Sequence, residues 1–211
     1  KRDRSCVTLA YALGHSTNAV FAKLASRNLA PPTLQRYADV FGFGKHLTTE
    51  LRATAGDVEI PAQTLEFART AAGFWHSHLS PLHAALIAAT IANEGVMPHA
   101  TMIERVVAAD GRLLHSRASQ PGRRVIAQGT AREVGRMMVR TVSDGTAHDA
   151  FYDRGRPYLG DVAVAGKTGS LSATDPYRAY SWWVGFAPAA DPQVALAALV
   201  VNGPQWRIKS S

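Results

Sequence analysis

The sequence predicts an α+β domain in which a group of helices packs against an antiparallel sheet. Helical patterns occupy the middle of the chain and strand patterns its end, and the two kinds do not alternate as they do in βαβ proteins. The 211 residues are 46% hydrophobic and 18% charged, which is enough apolar material for one sizeable core. This composition argues against a disordered chain and against a disulfide miniprotein.

Three segments combine helical spacing of apolar residues with signals for a helix start or stop. They run over residues 17–29, 80–95 and 130–145. Two consecutive prolines, Pro31-Pro32, are expected to end the first helix. The second starts with a serine N-cap followed by proline and is apolar nearly all round, so it should be deeply buried. The third is expected to start with a capping box formed by Thr130 and Glu133.

Strand patterns precede and follow the third helix. Residues 102–114 predict a hairpin that turns at Asp110-Gly111, a favoured two-residue pair. Three later strands are predicted over residues 161–166, 180–187 and 193–201. A short turn-rich loop joins the last two, so they should pair antiparallel. Residues 171–178 are expected to form a polar loop, and residues 41–74 a loop-rich stretch.

Charge and apolar run length limit the partners. The 23 Lys and Arg against 16 Asp and Glu give a formal charge of +7, spread without long runs or interleaved stacking aromatics. We therefore expect a solvated basic face and no nucleic-acid partner. The longest apolar run, 194–201, is far shorter than the about 18 residues that a membrane helix needs. The mildly apolar stretch before Gly14 is short for a signal peptide, and we interpret it as the start of a helix. A lone cysteine, Cys6, excludes an internal disulfide and leaves the compartment open.

The first candidate site is the Gly-Lys-Thr-Gly-Ser run at 166–170, which the strand pattern places where a strand ends. The ammonium of Lys167, the hydroxyls of Thr168 and Ser170, and a glycine that lets a ligand approach the backbone would together bind an anion. The P-loop pattern is not met, because Asp161 stands where its upstream glycine is required and no helix follows.

The second candidate site is Ser16-Thr17-Asn18, at the mouth of the first predicted helix. A hydroxyl and an amide two residues apart in a helix-entry loop can point into one cleft. There the hydroxyl would pass a proton and the amide would bind a peptide group. A plain helix N-cap is the alternative interpretation.

The two triplets together resemble the motifs of a known enzyme family. Ser16-Thr17-Asn18 is similar to the S-x-N motif, and Lys167-Thr168-Gly169 to the K-T-G motif, of the penicillin-binding proteins, which are peptidoglycan D,D-transpeptidases with serine β-lactamase relatives. Further stretches resemble landmarks of that family in the same order: Phe41-Gly-Phe-Gly44, Ser80-Pro-Leu-His83, Ala92-Asn-Glu-Gly95, Asp144-Gly-Thr-Ala147 and Trp183-Val-Gly-Phe-Ala-Pro188. The resemblance covers essentially the whole chain.

The resemblance implies an incomplete penicillin-binding/β-lactamase-like fold, with an antiparallel sheet packed on a helical subdomain. Residues 1–211 would form the C-terminal part of one transpeptidase domain, because the family's nucleophile lies upstream of S-x-N in an S-x-x-K motif. No lysine of this chain has a serine three positions before it. The residues three positions before the lysines are Val20 for Lys23, Gly42 for Lys45, Val164 for Lys167 and Trp206 for Lys209. We therefore expect this chain alone to be unable to form an acyl-enzyme.

For a complete parent protein, the resemblance implies serine acyl transfer. An upstream serine would attack the penultimate D-Ala of a stem pentapeptide, release the terminal D-Ala and pass the acyl group to an amine of a neighbouring stem. Ser16 and Lys167 would assist proton transfer, and Asn18 would hold the amide of the substrate.

The K-T-G strand would bind the other end of the substrate. Thr168 and Ser170, with Gly169 between them, would bind the terminal carboxylate, and the Ser170 N–H would form half of the oxyanion hole. The implied partners are stem peptides, β-lactams and cell-wall synthesis proteins at the extracytoplasmic face of a bacterial membrane, with any membrane anchor upstream of this chain. The resemblance implies no cofactor.

Three other interpretations stay open from the sequence. A β-lactamase or β-lactam-sensor domain shares both motifs, although the E-x-x-x-N motif of one β-lactamase class is absent. A non-catalytic cell-wall or protein-binding module would keep the fold without the nucleophile. His76, His78 and His83 could suggest zinc, but no fourth ligand stands at the required spacing, so we expect no metal.

Overall fold

A computed structural model describes residues 6–47, 49–50, 53–117 and 120–204. Its helices are α1 (Leu9–Gly14), α2 (Asn18–Asn28), α3 (Pro31–Phe41), α4 (Thr64–Ala71), α5 (Pro81–Ala92), α6 (Gln128–Ser143) and α7 (His148–Phe151). Its strands are β1 (Asp57–Val58), β2 (Ser77–His78), β3 (Val96–Met97), β4 (Arg105–Val107), β5 (Leu113–Ser116), β6 (Arg123–Arg124), β7 (Tyr152–Asp153), β8 (Arg156–Pro157), β9 (Ala165–Thr174), β10 (Tyr177–Ala187) and β11 (Val194–Asn202). The arrangement is the predicted α+β fold. Within the described ranges, no helix combines the length and the apolar character needed to cross a membrane.

The main sheet contains three antiparallel strands in the order β11-β10-β9. The pairing of β10 with β11 confirms the antiparallel pair predicted at the end of the chain. The strand predicted at 161–166 is wrong in its bounds: β9 starts at Ala165 and continues through the Lys-Thr-Gly run to Thr174. The predicted polar loop is also wrong, because a tight turn at Asp175-Pro176 joins β9 directly to β10. Residues 170–174 are all exposed, so backbone pairing holds them in the strand without an alternating apolar signal.

Helix α6 packs against both α1 and β9, while α5 packs against β10 and β11. Two clusters of buried side chains fill the space between α6 and the sheet. Their buried members are Met138, Ala165 and Phe186 in one, and Val142, Ala147 and Val164 in the other. Because Met138 and Val142 are one helical turn apart, a single face of α6 fixes the point at which β9 enters the sheet.

Trp182 and Trp183 lie on opposite faces of β10, and the sequence alone does not decide which of them is in the core. Trp183 packs against the cluster around Val142, and its ring centroid lies 5.0 Å from that of Phe151. Its indole covers Gly166, where a Cβ atom would come within 2.1 Å of the ring. Trp183 is therefore the core tryptophan, and it requires glycine at position 166.

The early helices differ from the predictions at the proline pair. Helix α2 ends at Asn28, close to the expected boundary, but Pro31-Pro32 also occupies the first two positions of α3, a helix that the sequence pattern missed. Proline suits a first turn, because the N–H that it lacks has no helical acceptor there. The stretch expected to be loop-rich, 41–74, likewise contains α4.

The capping box predicted for the third helix is wrong. Helix α6 starts at Gln128 with Ala127 as its N-cap, and no side chain caps it. Thr130 and Glu133 therefore lie inside the helix, where Glu133 pairs with Arg136 at 2.5 Å. The helix starts earlier than its polar signal, because tertiary packing of the apolar face outweighs the capping preference.

The predicted hairpin is present, but its turn is longer than expected. Strands β4 and β5 pair antiparallel with a register shift at Val106/Val107. The Ala108 N–H donates to the Arg112 carbonyl at 2.8 Å, so the loop includes residues 108–112 and the two-residue turn is wrong. Gly111 supplies the left-handed conformation within it, with φ 83°.

His83 anchors the start of α5. As predicted, Ser80 is the N-cap, and its Oγ accepts the His83 N–H at 3.2 Å. The fully buried imidazole accepts the Gly56 N–H at Nδ1 (2.9 Å) and donates from Nε2 to the Phe41 carbonyl (2.8 Å). Because Nδ1 accepts a hydrogen bond, the ring proton lies on Nε2. One neutral side chain therefore joins the C-terminus of α3, the turn at Gly56 and α5.

The three histidines considered for zinc make three separate contacts. His76 Nε2 lies 3.2 Å from a Glu66 carboxylate oxygen, and His78 Nδ1 lies 2.9 Å from a carboxylate oxygen of Asp57. His83 has both ring nitrogens engaged with the backbone. Among the described residues, no group of three or more His, Cys, Asp or Glu side chains has the geometry of a metal site.

We expect His83→Leu to lower the free energy of unfolding by about 2–4 kcal/mol, because it leaves a buried N–H and a buried carbonyl without partners. Equilibrium urea unfolding of the purified protein measures this change. The matched control is His78→Leu, at an exposed position, which should cost less than about 1 kcal/mol. Equal effects of the two substitutions would contradict the anchoring role of His83.

Candidate active site

Ser16 and Lys167 are in direct contact although they lie 151 positions apart in the sequence. The Lys167 Nζ donates to the Ser16 Oγ at 2.9 Å and to the Thr168 carbonyl at 2.8 Å. Lys167 lies in the first half of β9 and is half-buried. The two candidate sites of the sequence therefore meet at one place in the fold.

Ser16 lies in the short connection between α1 and α2. Its φ of 51° is in the left-handed region, as expected for the residue after the C-cap of a Schellman motif. The Ser16 N–H donates to the Leu13 carbonyl at 3.2 Å and the Thr17 N–H to the Ala12 carbonyl at 2.8 Å, so local backbone hydrogen bonds at the end of α1 hold this turn. The N-cap of α2 is Thr17, whose side chain makes no capping hydrogen bond. The triplet therefore does contain the N-cap position of α2, as the alternative interpretation expected, but no side chain caps the helix there. The Ser16 hydroxyl instead accepts a hydrogen bond from the Lys167 Nζ.

Asn18 is the first residue of α2, and its backbone N–H donates to the Ser16 carbonyl at 3.0 Å. Its side chain is half-buried. Within the part of the chain that the structure describes, the carboxamide makes no hydrogen bond. An amide in this state can both donate to and accept from a peptide group of a ligand.

Burial lowers the pKa of the Lys167 amine below its ordinary value of 10.5, because removing the ammonium from water disfavours the charged form. Among the described residues, no carboxylate lies within ion-pair distance of Lys167, so its hydrogen-bond acceptors there are neutral oxygens. An ammonium has three donors, and two of them are used. A larger fraction of Lys167 than of an exposed lysine is therefore in the neutral form, which can act as a general base, and its protonated form can attract an anion.

Thr168, Gly169 and Ser170 continue β9 beyond Lys167. The Thr168 side chain is buried, and its hydroxyl lies 2.6 Å from the hydroxyl of Thr146. A Cβ atom at Gly169 would come within 3.2 Å of the Trp182 Cβ, so glycine relieves crowding there. Ser170 is exposed and shares the face of Thr168. The strand therefore presents two hydroxyls on one face, while the Lys167 Nζ reaches Ser16 and the Thr168 carbonyl.

The turn after α6 is a part of the site to which sequence reasoning assigned no role. A Cβ atom at Gly145 would come within 2.2 Å of the Gly14 carbonyl oxygen, so the turn packs backbone to backbone against the end of α1. The Thr146 N–H donates to that same carbonyl at 3.0 Å. The sequence feature that could have pointed to this turn is the Asp-Gly-Thr-Ala run at 144–147. It resembles a family landmark, but the sequence does not indicate which residues the turn contacts.

Comparison with known proteins agrees with this architecture. The family model of the penicillin-binding protein transpeptidase domain matches residues 1–211. The peptidoglycan D,D-transpeptidase PbpA of Mycobacterium tuberculosis is 29% identical over 205 residues, which cover 95% of this chain and 40% of that protein. PbpA of Mycolicibacterium smegmatis is 32% identical over 128 residues, which cover 59% and 24%. The crystal structure of PBPA from Mycobacterium tuberculosis has a TM-score of 0.81 at 28% identity, covering 94% of this chain and 46% of that one.

The fold and the matched family define a transpeptidase domain. The chain belongs to the penicillin-binding protein transpeptidase domain family, which confirms the resemblance noted in the sequence. It spans less than half the length of the PbpA proteins and of the solved structure that it matches. A penicillin G acyl-enzyme complex of penicillin-binding protein A from Mycobacterium tuberculosis is similarly close, with a TM-score of 0.79 at 28% identity over 94% of this chain and 43% of that one.

We expect the Lys167 amine to titrate below pH 10.5, because burial disfavours its charged form. Methylating the lysines with ¹³C-formaldehyde and following each signal by NMR measures this pKa, and Lys167→Arg identifies the signal. The unfolded chain would bind this proton more tightly, so the group makes the free energy of unfolding rise with pH between the two pKa values. A Lys167 signal that titrates at or above pH 10.5 would contradict the effect of burial.

Proposed function

We propose that the protein carrying this chain is a serine-type peptidoglycan D,D-transpeptidase that cross-links stem peptides through an acyl-enzyme. The contact between the Lys167 Nζ and the Ser16 Oγ carries the proposal, because it joins a proton acceptor to a proton-relaying hydroxyl in a domain of this family. In this proposal residues 1–211 are the C-terminal part of the domain. The nucleophile is a serine of an S-x-x-K motif that this chain does not contain.

In the first half-reaction, the nucleophilic serine passes its proton to the lysine of its own S-x-x-K motif and attacks the carbonyl carbon of the penultimate D-Ala. The tetrahedral intermediate collapses when the bond to the terminal D-Ala breaks. The leaving amine takes up a proton that passes through Ser16 and Lys167, whose hydrogen bond of 2.9 Å supports this path. In the second half-reaction, an amine of a neighbouring stem attacks the carbonyl carbon of the serine ester. The ester bond breaks as the cross-linking amide forms, and the proton lost by the amine returns to the serine oxygen.

Substrate binding in this proposal uses both sides of the Ser16–Lys167 contact. The Asn18 carboxamide binds the substrate amide, which its lack of a hydrogen bond among the described residues supports. Thr168 and Ser170 bind the terminal carboxylate, next to the Lys167 ammonium. The Ser170 N–H and the nucleophile's own N–H form the oxyanion hole. Gly169 lies between these two residues, at a position where a Cβ atom would crowd Trp182.

The proposed setting is the extracytoplasmic face of a bacterial membrane, with a membrane anchor upstream of this chain. Stem peptides are the substrates, β-lactams acylate the same serine, and cell-wall synthesis proteins are the partners. The similar PbpA proteins are peptidoglycan D,D-transpeptidases, and penicillin-binding protein A of Mycobacterium tuberculosis forms acyl-enzyme complexes with β-lactams; both facts support this setting.

The proposal is tested by β-lactam acylation of the complete protein. We expect Lys167→Ala to slow labelling by fluorescent penicillin at least about 100-fold, and Ser16→Ala about 10- to 100-fold, because proton transfer loses its carriers. The matched control is Lys23→Ala, at an exposed position on α2, which should stay within about two-fold of the wild type. Acylation that is unaffected in both site variants would contradict the assigned roles, and steady turnover of nitrocefin would indicate a β-lactamase instead.

The 211-residue chain alone should form no covalent adduct with excess penicillin, because no serine of an S-x-x-K motif is present. Intact-protein mass spectrometry measures this directly. The complete protein, treated in parallel, should gain the mass of one penicillin. An adduct on the short chain would show that the nucleophile lies within these residues.

A further inference from the structure

Thr146 contacts both halves of the candidate active site. Its backbone N–H donates to the carbonyl of Gly14, two residues before Ser16, at 3.0 Å. Its hydroxyl lies 2.6 Å from the hydroxyl of Thr168, the neighbour of Lys167. One residue of the turn after α6 is therefore hydrogen-bonded to the segment that carries the serine and to the strand that carries the lysine.

The backbone of Thr146 is held firmly on both sides. Gly145 lies so close to the end of α1 that a Cβ atom there would collide with the Gly14 carbonyl and with Arg140. On the other side, Ala147 is fully buried, and its N–H donates to the Thr141 carbonyl at 2.9 Å. The turn cannot shift without breaking these contacts. The position of the Thr146 hydroxyl therefore depends only on its own side-chain rotamer.

The bond between the two threonines has a direction, because each hydroxyl carries one proton. If Thr168 donates to Thr146, it has no proton left for a ligand. If Thr146 donates to Thr168, the Thr168 proton is available to an anion beside β9. Thr168 is buried, so few other groups can set this direction.

We propose that Thr146 is a positioning residue: its hydroxyl donates to Thr168 and thereby directs the Thr168 proton toward the carboxylate of the substrate. This inference rests on the proposed function, in which Thr168 binds that carboxylate. In such a chain of hydroxyl, hydroxyl and carboxylate, each hydrogen bond polarises the next, so the terminal bond to the anion is strengthened. Thr146 acts on the substrate only through Thr168.

The test compares acylation rates in the complete protein. Thr146→Val keeps the shape of the side chain and removes the hydroxyl, and we expect the second-order rate with a carboxylate-bearing β-lactam to fall about 3- to 10-fold. Thr146→Ser restores the hydroxyl and should recover the rate to within about two-fold of the wild type. Thr146→Ala serves as a second variant that lacks the hydroxyl, in case valine prevents folding.

Two further measurements separate a positioning role from a general loss of structure. In a Thr168→Val background, Thr146→Val should add less than about a two-fold change, because its only route to the substrate is gone. With the methyl ester of the same β-lactam, which lacks the carboxylate, the wild type and Thr146→Val should react at similar rates. Additive losses, equal losses with acid and ester, or no loss in Thr146→Val would each overturn the inference.

Failure of this inference is distinguishable from failure of the proposed function. If the wild-type complete protein forms no adduct with any β-lactam, the proposed function itself is wrong. If the wild type is acylated and Thr146→Val is acylated equally fast, only the role of Thr146 is wrong.

Discussion

Helix α6 packs against both α1 and β9, and the rest of the site depends on this shared contact. The end of α1 leads into Ser16, and the start of β9 leads into Lys167. Because one rigid helix holds both elements, two residues 151 positions apart lie within 2.9 Å of each other. The geometry of the site is thus set by buried apolar side chains such as Met138 and Val142, which have no chemistry of their own.

Close packing at glycines fixes the relative positions of α1, α6 and β9. The turn at Gly145 lies against Gly14, and Gly166 lies under the Trp183 ring, with no room for a Cβ atom at any of these three glycines. Such contacts leave little freedom to slide, since any displacement produces overlap of backbone atoms or of a large ring. The left-handed conformation of Ser16 is instead set locally, by the two backbone hydrogen bonds of the Schellman turn that ends α1.

Much of the fold was predictable from the sequence, and the failures share a physical cause. The buried helix α5 and the pair β10 and β11 were recognised because their apolar patterns and end signals agree with their environment. The outer half of β9 was missed because its side chains are exposed and only backbone pairing holds it. The capping box at Thr130 was wrong because packing extended α6 beyond its local signal.

The candidate site was predictable in its residue types and not in its contacts. The two triplets around Ser16 and Lys167 stand out because hydroxyl, amide and ammonium groups are grouped there, and the family resemblance links them across the chain. Thr146 carries no comparable signal, since a threonine after Asp-Gly is ordinary in a turn. The role proposed for it depends on its hydrogen bonds to Gly14 and Thr168, which exist only once α6 is in place.

The two properties proposed for Lys167 have one physical origin. Burial lowers the pKa of Lys167, and its hydrogen-bond acceptors among the described residues are neutral oxygens, so more of the amine is in the neutral form that can act as a base toward Ser16. The same low-dielectric surroundings strengthen the attraction between the protonated amine and an incoming anion. A carboxylate that binds beside β9 therefore raises the pKa of Lys167 again, by supplying the counter-charge that the described residues lack. In the proposed function, substrate binding and the proton affinity of Lys167 are thus linked, because the described residues supply no counter-charge to the amine before a carboxylate binds.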